Sequence, residues 1–198
     1  SKNGLGYPHP NPLPGGEGAS SHSPERGLDS ATMPIHARPL TREEFAPFGD
    51  VIGLELSGGS SANQGTATRY DRVAQLTSSR PGAQPNLAVF RSVAKALPFE
   101  VRLLERHPCS TQMFVPLACR RFLVVVCPPD ARGEPDLSGL RAFLCGPGQG
   151  INYRPNVWHH PIIALDGPAD FLMLAWEDGS ALDCEERPLS TTLLITSD

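Results

Sequence analysis

Phe99-Glu100-Val101-Arg102-Leu103-Leu104-Glu105-Arg106-His107-Pro108-Cys109-Ser110-Thr111-Gln112-Met113-Phe114 is the run on which the reading of the fold turns. Phe99, Val101, Leu103, Glu105 and His107 recur at period two, so a strand puts them on one face. That face starts apolar and ends ionisable, as expected of a buried sheet face whose end opens into a site. A turn at 108–110 would bring Gln112 back on a neighbouring strand. A second polar cluster, Asn152-Tyr153-Arg154-Pro155-Asn156-Val157-Trp158-His159-His160-Pro161, is expected to line the same pocket.

From Leu87 onward the pattern is nearly all strand, with candidates at 87–93, 99–105, 112–116, 121–127, 140–144, 160–165 and 170–176. Clusters such as Cys127-Pro128-Pro129-Asp130 and Gly146-Pro147-Gly148 separate them. Many short strands at near-regular spacing argue for an antiparallel barrel or sandwich, and no long periodic helix supports a parallel α/β sheet. Upstream, Thr41-Arg42-Glu43-Glu44 fits a capping box, with Phe45 and Phe48 docking a short helix and Gly49 ending it. A strand at 51–56, a loop at 57–65 and a charged island, Arg69-Tyr70-Asp71-Arg72, follow.

With 198 residues, one domain and a tail is the natural division. Residues 1–34 are rich in Pro and Gly and short of large apolar groups, which predicts a disordered tail. Gly6 to Gly18 looks like a translated intergenic repeat, which makes Met33 a candidate start. The domain is expected over 35–198. A net charge of -4 argues against a nucleic-acid footprint. The best apolar run, 122–127, is strand length and too short to span a membrane. The five cysteines are scattered, with no CxxC pair, which suggests reduced thiols in a cytoplasm. Cys109 is the one beside the candidate site.

Glu105 and His107, two apart, form the strongest chemical pair. With Gln112 and a later histidine they offer mixed oxygen and nitrogen donors to a divalent metal. The same groups can work as acid and base without one. On spacing alone Glu105 could equally pair with Arg102 or Arg106, and His107 could merely end a strand. His159 and His160 are adjacent, so an extended chain aims them at opposite faces, and periodicity leaves open which turns inward. Arg69 is a candidate carboxylate anchor and Arg91 a weaker one.

Leu104 to Pro108, Thr111 to Pro116, Pro135 to Ser138, Arg141 to Phe143, Gly150 to Tyr153 and Asn156 to Pro161, taken in this order, resemble the ureidoglycolate lyase family. Pro39 to Phe45, Phe48 to Ile52 and Asn63 to Tyr70 look like that family's start. The resemblance covers residues 35–188. It implies a cupin-like antiparallel β-barrel of jelly-roll type with a few short helices, a homodimer, and cleavage of (S)-ureidoglycolate to glyoxylate and urea. Carried over, Glu105, His107 and Gln112 fall on the family's first barrel motif and His159 or His160 on its second. The implied catalytic residues are Glu105, His107, Gln112 and His159. Arg69, Asn152, Tyr153 and His160 are implied for substrate binding. His107 or His159 would act as base, while Glu105 orients it or, protonated in an apolar surround, acts as acid. The resemblance allows a divalent ion, nickel or similar, on Glu105, His107, Gln112 and His159 without requiring it, since metal cupins carry more histidine in the first motif. The alternative is a non-catalytic cupin module that binds a small carboxylic acid; a metal oxygenase or isomerase is disfavoured by Gln112.

Overall fold

The computed structural model of the protein describes residues 34–53 and 56–198. Apart from Pro34, the tail expected over 1–34 lies outside the described residues. The chain is mostly β. Its strands are β1 (Ile35–His36), β2 (Arg38–Pro39), β3 (Gly49–Ile52), β4 (Ser60–Ala62), β5 (Ala67–Arg69), β6 (Gln84–Ser92), β7 (Phe99–Arg106) and β8 (Gln112–Ala118). They continue as β9 (Arg121–Cys127), β10 (Arg141–Cys145), β11 (Gly150–Tyr153), β12 (Trp158–His159), β13 (Ile163–Leu165), β14 (Ala169–Glu177) and β15 (Glu185–Thr196). One helix, α1 (Arg42–Phe45), has its Glu44 amide capped by Thr41 Oγ1 at 3.2 Å, as the capping box predicts. No helix among the described residues is long and apolar enough to cross a membrane.

Two sheets form a nearly closed barrel. One runs β3-β11-β8-β14-β6; the other runs β1-β15-β7-β12-β9-β10-β2, with β13 also on β9. The second closes through one short segment. Ile35 and His36 pair with β15, and two residues on Arg38 and Pro39 pair with β10, so the segment joins the sheet's two edges. These two pairings are parallel, whereas those that carry the site are antiparallel.

β9 contributes to both cores. Phe122, Val124 and Val126 pack with Phe45, Phe114, Phe143, Tyr153 and Phe171 in the main core. Leu123, Val125 and Cys127 pack with Val101, Leu104, Trp158 and Ile195 in a second one. Burial on both faces explains why this strand reads as a continuous apolar run instead of alternating.

The expected single face of β7 is not observed. Val101 and Leu104, three apart, both sit in the second core, so the alternation changes phase between them. Pairing with the partner strand is irregular over the same stretch: Pro188 pairs with Leu103 and Leu193 with Val101, leaving 189–192 opposite Arg102 alone. The extra residues lie on β15, in an irregularity of the kind found next to sites. Gly49 also has a different role from the one expected. It begins β3 and does not cap the helix. A Cβ there would stand 1.9 Å from the Asn152 carbonyl oxygen, so the position requires glycine for close backbone approach.

Because neighbours on β9 point into different cores, both should be intolerant of truncation. Phe122→Ala is expected to cost about 3–5 kcal/mol and Leu123→Ala about 2–5 kcal/mol. Denaturant unfolding checks this; a near-neutral effect of either change would mean that one face of β9 is not core.

Candidate active site

Glu105 and His107 come from the end of β7, Gln112 from the start of β8 and His159 from β12. Register brings them together: His159 lies opposite Glu105 and Val126, and Gln112 lies opposite Tyr153. Glu105, His107 and Gln112 line a cavity of about 270 Å³ with Phe90, Phe114, Met173 and Glu177. His159 is buried beneath them, its ring stacked on Tyr153 at 4.0 Å and near-parallel to His107 at 5.6 Å. Trp158 settles which histidine faces inward. It belongs to the second core, so its neighbour His159 turns toward the site. His160 lies off the cluster, its Nδ1 against the Pro161 carbonyl at 2.7 Å and its ring edge-on to Phe99.

Both site histidines are held at Nδ1 by main-chain oxygens, which only accept. The Asp183 carbonyl lies 2.6 Å from His107 Nδ1 and the Val157 carbonyl 3.0 Å from His159 Nδ1. The protons therefore sit on Nδ1, and both Nε2 atoms turn lone pairs toward the cluster. His107 Nε2 is buried without a partner. His159 Nε2 faces Gln112 Oε1 at 3.1 Å and Glu105 Oε1 at 3.4 Å. Turning the Gln112 amide answers one oxygen and leaves the carboxylate, so positive charge is required between them: a proton or a cation. Glu105, His107 and His159 present ligand atoms all within 4.8 Å of one another, so this donor set fits a divalent ion.

Burial pushes the Glu105 carboxyl up, but the His159 hydrogen bond and the neighbouring imidazoles outweigh it and hold it below its ordinary range. The expected protonated Glu105 acid is therefore replaced by a carboxylate. Burial, then the nearby His159 charge, lowers His107 and favours its neutral ring. His160 is also lowered by burial. Burial drives the Tyr153 phenol well up, so it stays neutral.

The Asp183 carbonyl is positioned by its own side chain. Its carboxylate pairs with Arg80 and accepts the Asp178 and Gly179 amides at 3.0 and 2.7 Å. Arg80 also pairs with Asp178 at 2.7 Å, which clamps the turn behind His107.

Not all expected residues converge. Arg69 is exposed and bonded to Asp71 at 2.7 Å, and Arg91 is exposed and paired with Asp170 at 2.9 Å. Neither lines the cavity. Asn152 is on the opposite face of β11 from Tyr153, where its amide donates to Asp50 Oδ2 at 2.9 Å and the Gln75 carbonyl at 3.0 Å. Its place is in a buried brace. The cysteine beside the cluster is Cys184, 4.0 Å from Glu105 Oε2, not Cys109. Burial, with Glu105 nearby, pushes its thiol up to about 12, so it is no thiolate. Glu177, which is not among the expected site residues, also lines the cavity, and its period-two relation to Phe171, Met173 and Ala175 marks it as inward-facing.

Residues 32–196 match the family Ureidoglycolate lyase. A ureidoglycolate lyase of Burkholderia mallei (strain NCTC 10229) is 42% identical over 83% of this chain and 94% of its own length. One from Burkholderia cepacia is 41% identical over 81% of this chain and 89% of its own. Among solved structures, a dTDP sugar isomerase from Desulfovibrio desulfuricans G20 overlays loosely, with a TM-score of 0.44 and 18% identity over 73% of this chain and 88% of that one. A matching family domain that spans the barrel, with relatives alike along nearly their whole length, places this chain in the ureidoglycolate lyase family.

Proposed function

We propose that this chain cleaves (S)-ureidoglycolate to glyoxylate and urea, and that the reaction takes place at Glu105, His107, Gln112 and His159. The convergence of two imidazoles and a carboxylate at one cavity carries this reading. The substrate's hydroxyl, carboxylate and ureido nitrogen share one carbon. Cleavage moves the hydroxyl proton away, forms the carbonyl, breaks C–N and returns a proton to the departing nitrogen. His107 Nε2, unpaired and in a neutral ring, takes the hydroxyl proton. His159, with Glu105 and Gln112 facing its Nε2, is suited to hold a proton there and give it to nitrogen. Tyr153 supports the His159 ring from below.

No lysine or arginine lines the cavity among the described residues, so positive charge for the substrate carboxylate comes from the histidine end. The same four residues fit a divalent ion, nickel or similar; bound there, it supplies charge stabilisation for an oxyanion. We place the reaction in the cytoplasm, where five free cysteines suit a reducing medium.

We also propose that two copies pair through the outer face of the five-stranded sheet. Leu87, Leu174 and Met113 form one cross-strand row, and Val89, Leu172 and Val115 form the next. Leu87 and Val89 remain 62% and 59% exposed, where a solvated sheet face would carry polar groups.

His107→Ala and Glu105→Gln should each lower urea and glyoxylate formation by about 10²–10⁴-fold with the fold intact; unchanged turnover in either variant removes that residue from the reaction. Added Ni²⁺ should raise the thermal midpoint of the wild type and leave His107→Ala unmoved; no shift in the wild type would dismiss the ion. Leu87→Glu with Val89→Glu should sediment as a monomer, and a monomeric wild type would contradict the pairing.

A further inference from the structure

Glu177 lines the same cavity as Glu105, and the proton transfers do not use it. It ends β14, where Phe171, Met173 and Ala175 are buried at period two, and it continues their inward line. Asn86 Nδ2 of β6 donates to its Oε2 at 2.8 Å and fixes the side chain. A carboxylate accepts at about four lone-pair sites, so most of its capacity is left for the cavity.

We infer that Glu177 receives the ureido group of the substrate, an inference that rests on the function proposed above. A ureido group is planar and uncharged, with N–H donors side by side. It offers a carboxylate the fork that a guanidinium does, without the charge. The two ends of ureidoglycolate are chemically opposite. Its carboxylate is repelled by Glu177 and so lies away from that side chain, toward the histidines. Its ureido end has donors and no negative charge, and it settles on Glu177. The cavity thus has a histidine end and an acceptor end, and the bond to be broken lies between them. After cleavage, urea remains on Glu177 and glyoxylate beside the histidines.

Product inhibition separates the two ends. In Glu177→Gln, which keeps an acceptor for Asn86, KM for ureidoglycolate and the urea inhibition constant should both rise about tenfold. The glyoxylate inhibition constant should stay within about twofold, because that end is untouched. Glu177→Ala should show the same split. A purely structural role moves both product constants together or neither. Turnover in the wild type with a urea constant unmoved by either substitution, or with no urea inhibition at all, overturns the assignment to Glu177 alone. A wild type without turnover of ureidoglycolate overturns the function on which it depends.

Discussion

The phase change in β7 is the constraint on which the site depends. Val101 is buried in the second core, and unbroken alternation would send Glu105 and His107 after it. Burying a carboxylate and an imidazole there, among Leu123, Val125 and Ile195, would cost several kcal/mol. Beside the irregular pairing with β15 the alternation shifts by one position, so Leu104 joins that core and Glu105 faces the cavity. The same strand thereby contributes to hydrophobic packing at one end and to chemistry at the other.

Once the side chains are turned inward, main-chain oxygens set their chemical state. The Val157 and Asp183 carbonyls occupy both Nδ1 atoms, which concentrates unshared electron pairs around Glu105. Such an arrangement is unfavourable without positive charge and becomes favourable when a proton or a cation enters. The cavity has no fixed arginine or lysine to supply that charge among the described residues. Polarity is therefore distributed between its ends, with transferable positive charge at the imidazoles and a hydrogen-bond acceptor at Glu177. A substrate that is anionic at one end and rich in N–H at the other matches that distribution.

Much of this was legible in the sequence. The strands around 99–127 and 170–176, the Thr41 cap and the Glu105–His107 pair follow from period and local chemistry. Other features were concealed for physical reasons. β15, the longest of the described strands, holds Pro188 and a polar run at 190–192, so its composition imitates a loop. All of β11 is buried, so its pattern could not show which of Asn152 and Tyr153 faces the cavity. The inward choice of His159 over His160 depends on Trp158 filling a core that exists only after β9 is covered on both sides. Arg69 had the right chemistry for an anion but lies on a hairpin away from the cavity. The hold of Asp183 on His107 is through a backbone atom, which no residue type announces.

The direct test of this account is long-range proton–nitrogen NMR of the imidazoles, followed through a pH titration. The account predicts that in His107 and His159 the neutral ring carries its proton on Nδ1 and leaves Nε2 unprotonated. A neutral ring protonated at Nε2 in either residue would mean that the lone pairs do not converge, and would contradict the site described here.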